Sequence, residues 1–121
     1  MNADELITEL QDAVGDSLRT IAIGDADSET FSIAFMRDDI GALYSDSERQ
    51  KIAHDLVLEN LVEVRQEDLF EPLGDLQFTT RVFEHGINVI GWGGTRGAFI
   101  GLDPDETLIP TTIRACRTVF D

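Results

Sequence analysis

The residues most suited to chemistry lie in a glycine-rich segment, Gly91 to Gly97, which reads GWGGTRG. Glycines let backbone N–H groups approach an anion, and the Arg96 guanidinium could add a charge-assisted hydrogen bond. This pattern predicts a phosphate or nucleotide site, in a sensor or an enzyme, with Gly93, Gly94 and Arg96 as its binding residues. The alternative is a hairpin corner that needs positive φ. The hairpin corner is favoured because a phosphate-binding loop is followed directly by a helix, whereas this segment leads into another short strand.

Histidine and cysteine are too few and too scattered to predict a catalytic or metal site. His54 and His85 are the two histidines, and Cys116 is the single cysteine. Their positions lack the paired spacing of zinc ligands. We expect His85 to be exposed in a turn and Cys116 to be a small buried apolar residue. The sequence therefore predicts no catalytic residue, no metal and no cofactor, and we do not expect an enzyme.

A second candidate surface is aromatic rather than polar. In the predicted sheet, four apolar side chains fall on the face opposite Phe31 and Phe78. If helices cover only one face of the sheet, these four side chains are exposed. An exposed aromatic patch marks a contact surface. The alternative, that the other helices cover the set, stays open. The predicted interface residues are Phe83, Ile90, Trp92 and Phe99.

The net charge of the chain indicates the salt content of its surroundings more than the charge of a binding partner. The formal net charge is −15, with 24 Asp and Glu against 9 Lys and Arg, and Lys51 is the one lysine. An acidic, lysine-poor surface suits a salt-rich cytoplasm, where counterions screen carboxylate repulsion. We therefore expect a halophilic, archaeal origin. With 42% hydrophobic residues the chain has the apolar surface that folding requires.

The N-terminus and the apolar runs indicate a cytoplasmic protein. Asp4, Glu5 and Glu9 interrupt any signal-peptide pattern, and no apolar run approaches the ~20 residues that span a membrane. A length of 121 residues predicts a single domain, residues 1–121. A nucleic-acid partner is disfavoured because only Arg114 and Arg117 share a helix face, and no basic stripe is present.

Hydrophobic periodicity predicts the elements that hold these residues. A helix is expected over Asp4–Val14, ended by Gly15, and a long helix over Asp46–Gln66, opened by a capping box of Ser45 and Glu48. A last helix follows Thr107 as its N-cap. Strands with period-two patterns are expected at Ser17–Ile23, Thr30–Met36, Leu76–Phe83, Ile87–Trp92 and Ala98–Leu102.

These elements predict a hairpin followed by a three-stranded meander. Phe31, Ile33 and Phe35 mark the expected buried face of the second strand, and His85-Gly86 supplies a turn in the meander. Helices segregated from an antiparallel sheet give an α+β domain. We predict a five-stranded antiparallel sheet with three helices in the order α-β-β-α-β-β-β-α.

Two resemblances accompany this interpretation. The residues Arg37-Asp38-Asp39, Tyr44-Ser45 and Thr80 to Gly86 resemble a family of small haloarchaeal proteins of unknown function, over most of the chain. The element order is similar to roadblock domains of the longin and profilin-like group, without a shared motif. That similarity implies dimerising, non-enzymatic regulators that bind small GTPases.

Three functions follow from these observations. The leading hypothesis is a non-enzymatic interaction or regulatory module, a homodimer that uses the aromatic sheet face or the long helix as its contact surface. The second is a small-ligand sensor or enzyme at the glycine-rich corner. The third is a nucleic-acid-associated regulator.

Overall fold

A five-stranded antiparallel sheet forms the centre of the fold. The computed structural model describes residues 2–25, 28, 30–52, 70–93 and 96–120. The strands run in the order β2-β1-β5-β4-β3, so the N-terminal hairpin pairs with the C-terminal meander through β1 and β5. The predicted α+β class is confirmed. The strands are β1 (Leu18–Asp25), β2 (Thr30–Met36), β3 (Phe78–Phe83), β4 (Gly86–Gly93) and β5 (Arg96–Leu102), and the helices are α1 (Ala3–Val14), α2 (Asp38–Gly41), the helical residues 46–52 (α3) and α4 (Leu108–Phe120).

The core lies between one face of the sheet and the helices α1 and α4, and we call this side the helix face. Both helices carry an apolar stripe, which α1 buries through Leu6, Leu10 and Val14. The sheet contributes β-branched residues such as Ile21, Val89 and Ile100, which are completely buried. Removal of this apolar surface from water is the main source of stability.

Helix ends follow the residues that the sequence provides. The Asn2 side chain accepts a hydrogen bond from the Glu5 N–H at 3.2 Å and so caps α1. Gly15 ends α1 with a φ of 56°, as predicted. The Ser45–Glu48 capping box is also confirmed, since each side chain binds the other residue's backbone N–H at 3.2 and 3.1 Å. The remainder of the predicted long helix, and His54 with it, lies outside the described residues.

The predicted N-cap of the last helix uses its hydroxyl differently. The Thr107 Oγ1 donates to Asp105 Oδ1 at 2.6 Å, and the Thr107 N–H donates to the same oxygen at 3.0 Å. These two bonds lower the pKa of Asp105. Thr107 directly precedes α4, at the predicted N-cap position, and its hydroxyl binds Asp105, whose carboxylate organises the turn before the helix.

One residue predicted on the buried face of β2 lies on the other side of the sheet. Ile21 pairs with Phe35, yet Ala22 pairs with Ile33, so Ala34 is the extra residue of a bulge. The extra residue breaks the period-two alternation, and Ile33 turns away from the core while Phe35 packs against it. Ile33 is 42% exposed, which corrects the prediction. The side chain of Phe31 lies outside the described residues.

An arginine clip fastens the joint between the two halves of the sheet. Arg37 follows β2 and donates to both carboxylate oxygens of Asp103, beyond β5, at 2.9 Å each. It also donates to the Asp39 carboxylate at 2.7 and 3.1 Å and to the Asp16 carbonyl at 2.7 Å. These carboxylates raise the pKa of Arg37, and the guanidinium in turn lowers the pKa of Asp39. Bidentate pairing of this kind fixes geometry as well as energy.

Arg37→Gln is expected to destabilise the fold by about 2 kcal/mol, because it removes several charge-assisted hydrogen bonds at once. Urea unfolding followed by circular dichroism measures the change. Arg114→Gln, on the exposed side of α4, is the matched control and should shift the free energy of unfolding by less than about 0.5 kcal/mol. Equal effects of the two substitutions would show that the clip does not stabilise the joint.

The same clip predicts a pH dependence. The folded-state pKa of Asp39 lies below its ordinary value of 3.8, so its stabilising contribution is present above that value and is lost as the pH falls through the lowered pKa. Wild type should therefore lose more stability than Arg37→Gln when the pH is lowered from about 5 to about 3. Parallel acid titrations of unfolding test this, and identical curves would contradict it.

Candidate contact surface on the second sheet face

The four predicted interface residues lie on the sheet face opposite α1 and α4, which we call the second face. Ile90 pairs with Phe99 and Trp92 pairs with Gly97 across β4 and β5, and Phe83 pairs with Gly86 at the start of β4. These pairs alternate with Val89 and Ile100, which belong to the core. Phe78 lies on the helix face, where its ring stacks on Phe120 with centroids 5.9 Å apart.

The members of this set differ in exposure. Phe83 is 54% exposed, Trp92 and Phe99 are half-buried, and Ile90 is buried. Phe83 therefore offers most of the apolar surface of the set to a partner. Its sequence neighbour Val82 is 56% exposed but points to the other side of β3, because adjacent strand residues alternate.

A groove of about 810 Å³ runs along this face. Its floor comes from sheet residues that include Ala22 and Phe99, and one wall comes from α2 and the start of α3, where Ile40 is buried. Tyr44 and Ile33, 37% and 42% exposed, line it with Phe83. The lining is mainly apolar, so what the groove offers is dispersion and desolvation rather than reactive groups.

Among the described residues, Arg19 and Arg49 line the groove, and both bind backbone carbonyls around it. Arg19 Nη1 donates to the His85 carbonyl at 2.5 Å and so holds the β3–β4 turn. Arg49 Nη2 donates to the Gly41 carbonyl at 3.1 Å, at the end of α2, and its Nη1 lies 3.6 Å from the Asp46 carboxylate. Arg49 Nε is buried without a hydrogen-bond partner among the described residues. Sequence reasoning missed both arginines, because their acceptors are backbone carbonyls that leave no residue signature.

The glycine-rich corner is a β4–β5 hairpin in which Gly93 pairs with Arg96. Arg96 is exposed and takes part in an interaction, and Gly94 lies outside the described residues. The expectation of positive φ does not hold for Gly93 or Gly97, since the described glycines with positive φ are Gly15 and Gly74. A phosphate or nucleotide site at the corner stays a prediction.

Close packing, rather than positive φ, accounts for two strand glycines. A Cβ on Gly97 would lie 2.7 Å from the Trp92 ring, which rests on this position from the second face. A Cβ on Gly91 would lie 2.6 Å from the Phe78 ring on the helix face. Real Cβ atoms do not approach other atoms this closely, so each glycine makes room for an aromatic ring.

The remaining candidate reactive groups do not converge. The His85 side chain is 89% exposed in the turn, 3.8 Å from the Glu84 carboxylate. Burial raises the pKa of the Cys116 thiol to about 12, so the reactive thiolate is scarce near neutral pH. Within the described ranges, no group of three or more His, Cys, Asp or Glu residues could hold a metal ion.

The chain matches a family model over almost its whole length. Residues 4–121 fit the model of DUF7522, a domain of unknown function. The chain belongs to this family. No curated protein is significantly similar to this DUF7522 chain in sequence. No helix in the described part of it is long and apolar enough to cross a membrane.

Solved structures identify the fold. A roadblock/LC7 domain from Streptomyces avermitilis superposes with a TM-score of 0.62 at 14% identity, covering 96% of this chain and 92% of that one. The gliding protein mglB from Thermus thermophilus gives a TM-score of 0.60 at 14% identity, covering 93% of this chain and 82% of that one. The predicted roadblock-like topology is therefore confirmed. At this identity the likeness concerns the fold alone.

The packing of Trp92 on Gly97 is testable by fluorescence, since Trp92 is the only tryptophan. Gly97→Ala should displace the ring, shift its emission and cost about 1–3 kcal/mol of stability. Gly93→Ala is the matched control, because a Cβ there would meet only ordinary contacts at 3.8 Å. An unchanged emission spectrum in Gly97→Ala would contradict the packing.

The Cys116 thiol should react slowly with a thiol-specific reagent at about pH 8 while the protein is folded. Burial makes the thiol inaccessible to the reagent, and the raised pKa keeps it protonated. Unfolding in urea should restore the rate of a free cysteine, which provides the control within the same sample. A folded-state rate equal to the unfolded rate would indicate an accessible, activated thiol.

Proposed function

We propose that this protein is a non-enzymatic interaction module that forms a homodimer through the second face of its sheet. The observation that carries the proposal is the apolar groove, around which Ile33, Tyr44 and Phe83 are all more than a third exposed. A soluble protein seldom leaves large side chains exposed around one concave surface unless a partner covers them.

The charge at the groove supports contact between two copies. Among the described residues, the charged side chains that line it are Arg19, Arg49 and Glu84, so this part of the lining is nearly neutral. Two identical acidic surfaces would repel each other, whereas two nearly neutral apolar surfaces can be desolvated together. The long helix remains an alternative contact surface, but most of it lies outside the described residues.

Further parts of the proposal rest on the fold and the composition. The roadblock-like fold supports a regulatory module, and a small GTPase as an additional partner is proposed from that likeness alone. The acidic composition supports a halophilic, archaeal origin. The lone buried cysteine supports a cytoplasmic location, and the chain is proposed to act as one domain.

Phe83→Ser is the substitution that tests the contact surface. In molar KCl, light scattering should give twice the monomer mass for wild type and the monomer mass for Phe83→Ser at the same concentration. Truncation of a central aromatic anchor weakens binding by about tenfold or more. Circular dichroism should confirm that the variant remains folded, because the side chain is already half exposed in the monomer.

Val82→Ser is the matched control. Val82 has nearly the same exposure as Phe83 and sits beside it on β3, but it points to the helix face. It should leave the dimer intact. A monomeric wild type, or equal weakening by both substitutions, would contradict a homodimer on the second face.

A further inference from the structure

The exposed acids of the described surface lie on both sides of the sheet. Exposed acids occupy α1, as Asp4, Glu5 and Asp12 show, and Glu106 precedes α4 on the same side of the sheet. On the groove side, the exposed acids include Asp38 and Asp39 on α2 and Asp46 and Glu48 on α3. The lining of the groove is mainly apolar, and exposed carboxylates flank it as well as covering the opposite side of the molecule.

The apolar lining and the net charge give two copies a local attraction and a long-range repulsion. The attraction comes from burial of apolar side chains around the groove, which salt does not screen. The repulsion acts between two bodies that each carry a net charge of −15. It reaches over roughly 10 Å at 0.1 M salt but only about 3 Å at 1 M.

We propose that ionic strength switches the protein between a monomer at low salt and a dimer at high salt. This inference rests on the proposed homodimer and adds its regulation. Molar salt removes the repulsion and leaves the apolar attraction, whereas dilution of the salt restores the repulsion without altering the contact surface. We expect the dimer dissociation constant to rise by about a hundredfold between ~1 M and ~0.1 M KCl.

Sedimentation equilibrium of the full chain in KCl from about 0.1 to 3 M tests the switch. Circular dichroism and Trp92 fluorescence on the same samples should show that the fold persists where the dimer dissociates. A charge variant, Asp4→Asn with Asp12→Asn and Glu106→Gln, should remain dimeric at lower KCl than wild type. The matched control, Thr8→Ala with Gln11→Ala on α1, leaves the charge unchanged and should follow wild type.

The outcomes separate this inference from the homodimer itself. A dimer whose dissociation constant is the same at every KCl concentration would overturn the switch and leave the homodimer intact. A monomer at every concentration would overturn the homodimer and the switch together. Loss of the fold at the KCl concentration where the dimer dissociates would also overturn the switch, because salt would then act on folding. Equal midpoints for the charge variant and its control would exclude long-range repulsion as the cause.

Discussion

The fold depends on the antiparallel pairing of β1 with β5, which joins two pieces of chain that are far apart in sequence. Without this pairing the N-terminal hairpin and the C-terminal meander would be separate sheets of two and three strands, and an isolated two-stranded hairpin is marginally stable at best. The Arg37 clip reinforces the same joint from outside the ladder, through Asp103 and the Asp16 carbonyl. The β1–β5 pairing therefore determines both the number of strands in the sheet and which residues lie on each of its faces.

The two faces of the sheet differ because the helices of the described residues are distributed unevenly over them. The helices α1 and α4 both pack on the helix face and complete a core there. On the second face, α2 and the start of α3 form a wall beside the sheet, and a groove remains between them. Residues of the same apolar type are therefore buried for stability on one side and available for contact on the other.

Local features of the fold were predictable from the sequence because they depend on residues close together in the chain. The period-two strands, the helix end at Gly15 and the Ser45–Glu48 capping box all belong to this class. The strand order and the Arg37–Asp103 pair join residues distant in sequence, and no local pattern encodes them. The bulge at Ala34 made the predicted buried face of β2 wrong for Ile33, since one extra residue moves this side chain to the opposite face.

The candidate contact surface was predictable in part, because side-chain alternation along a strand is also a local pattern. Alternation along β4 and β5 was sufficient to place Ile90, Trp92 and Phe99 on one face. Alternation could not identify Arg19 and Arg49, whose side chains shape the groove by donating hydrogen bonds to backbone carbonyls. In the glycine-rich corner, composition could not show that Gly97 accommodates the Trp92 ring, because that contact depends on how the ring packs across the β4–β5 pair.

Mapping the contact surface at residue level tests the central claim most directly. Isotope-labelled wild type in molar KCl would be diluted through its association range while backbone and aromatic NMR shifts are recorded. The account predicts concentration-dependent shifts at the groove, at Phe83, Asn88 and Phe99, with α1 and α4 unchanged. Shifts confined to the exposed sides of α1 and α4, with the groove residues constant, would contradict it.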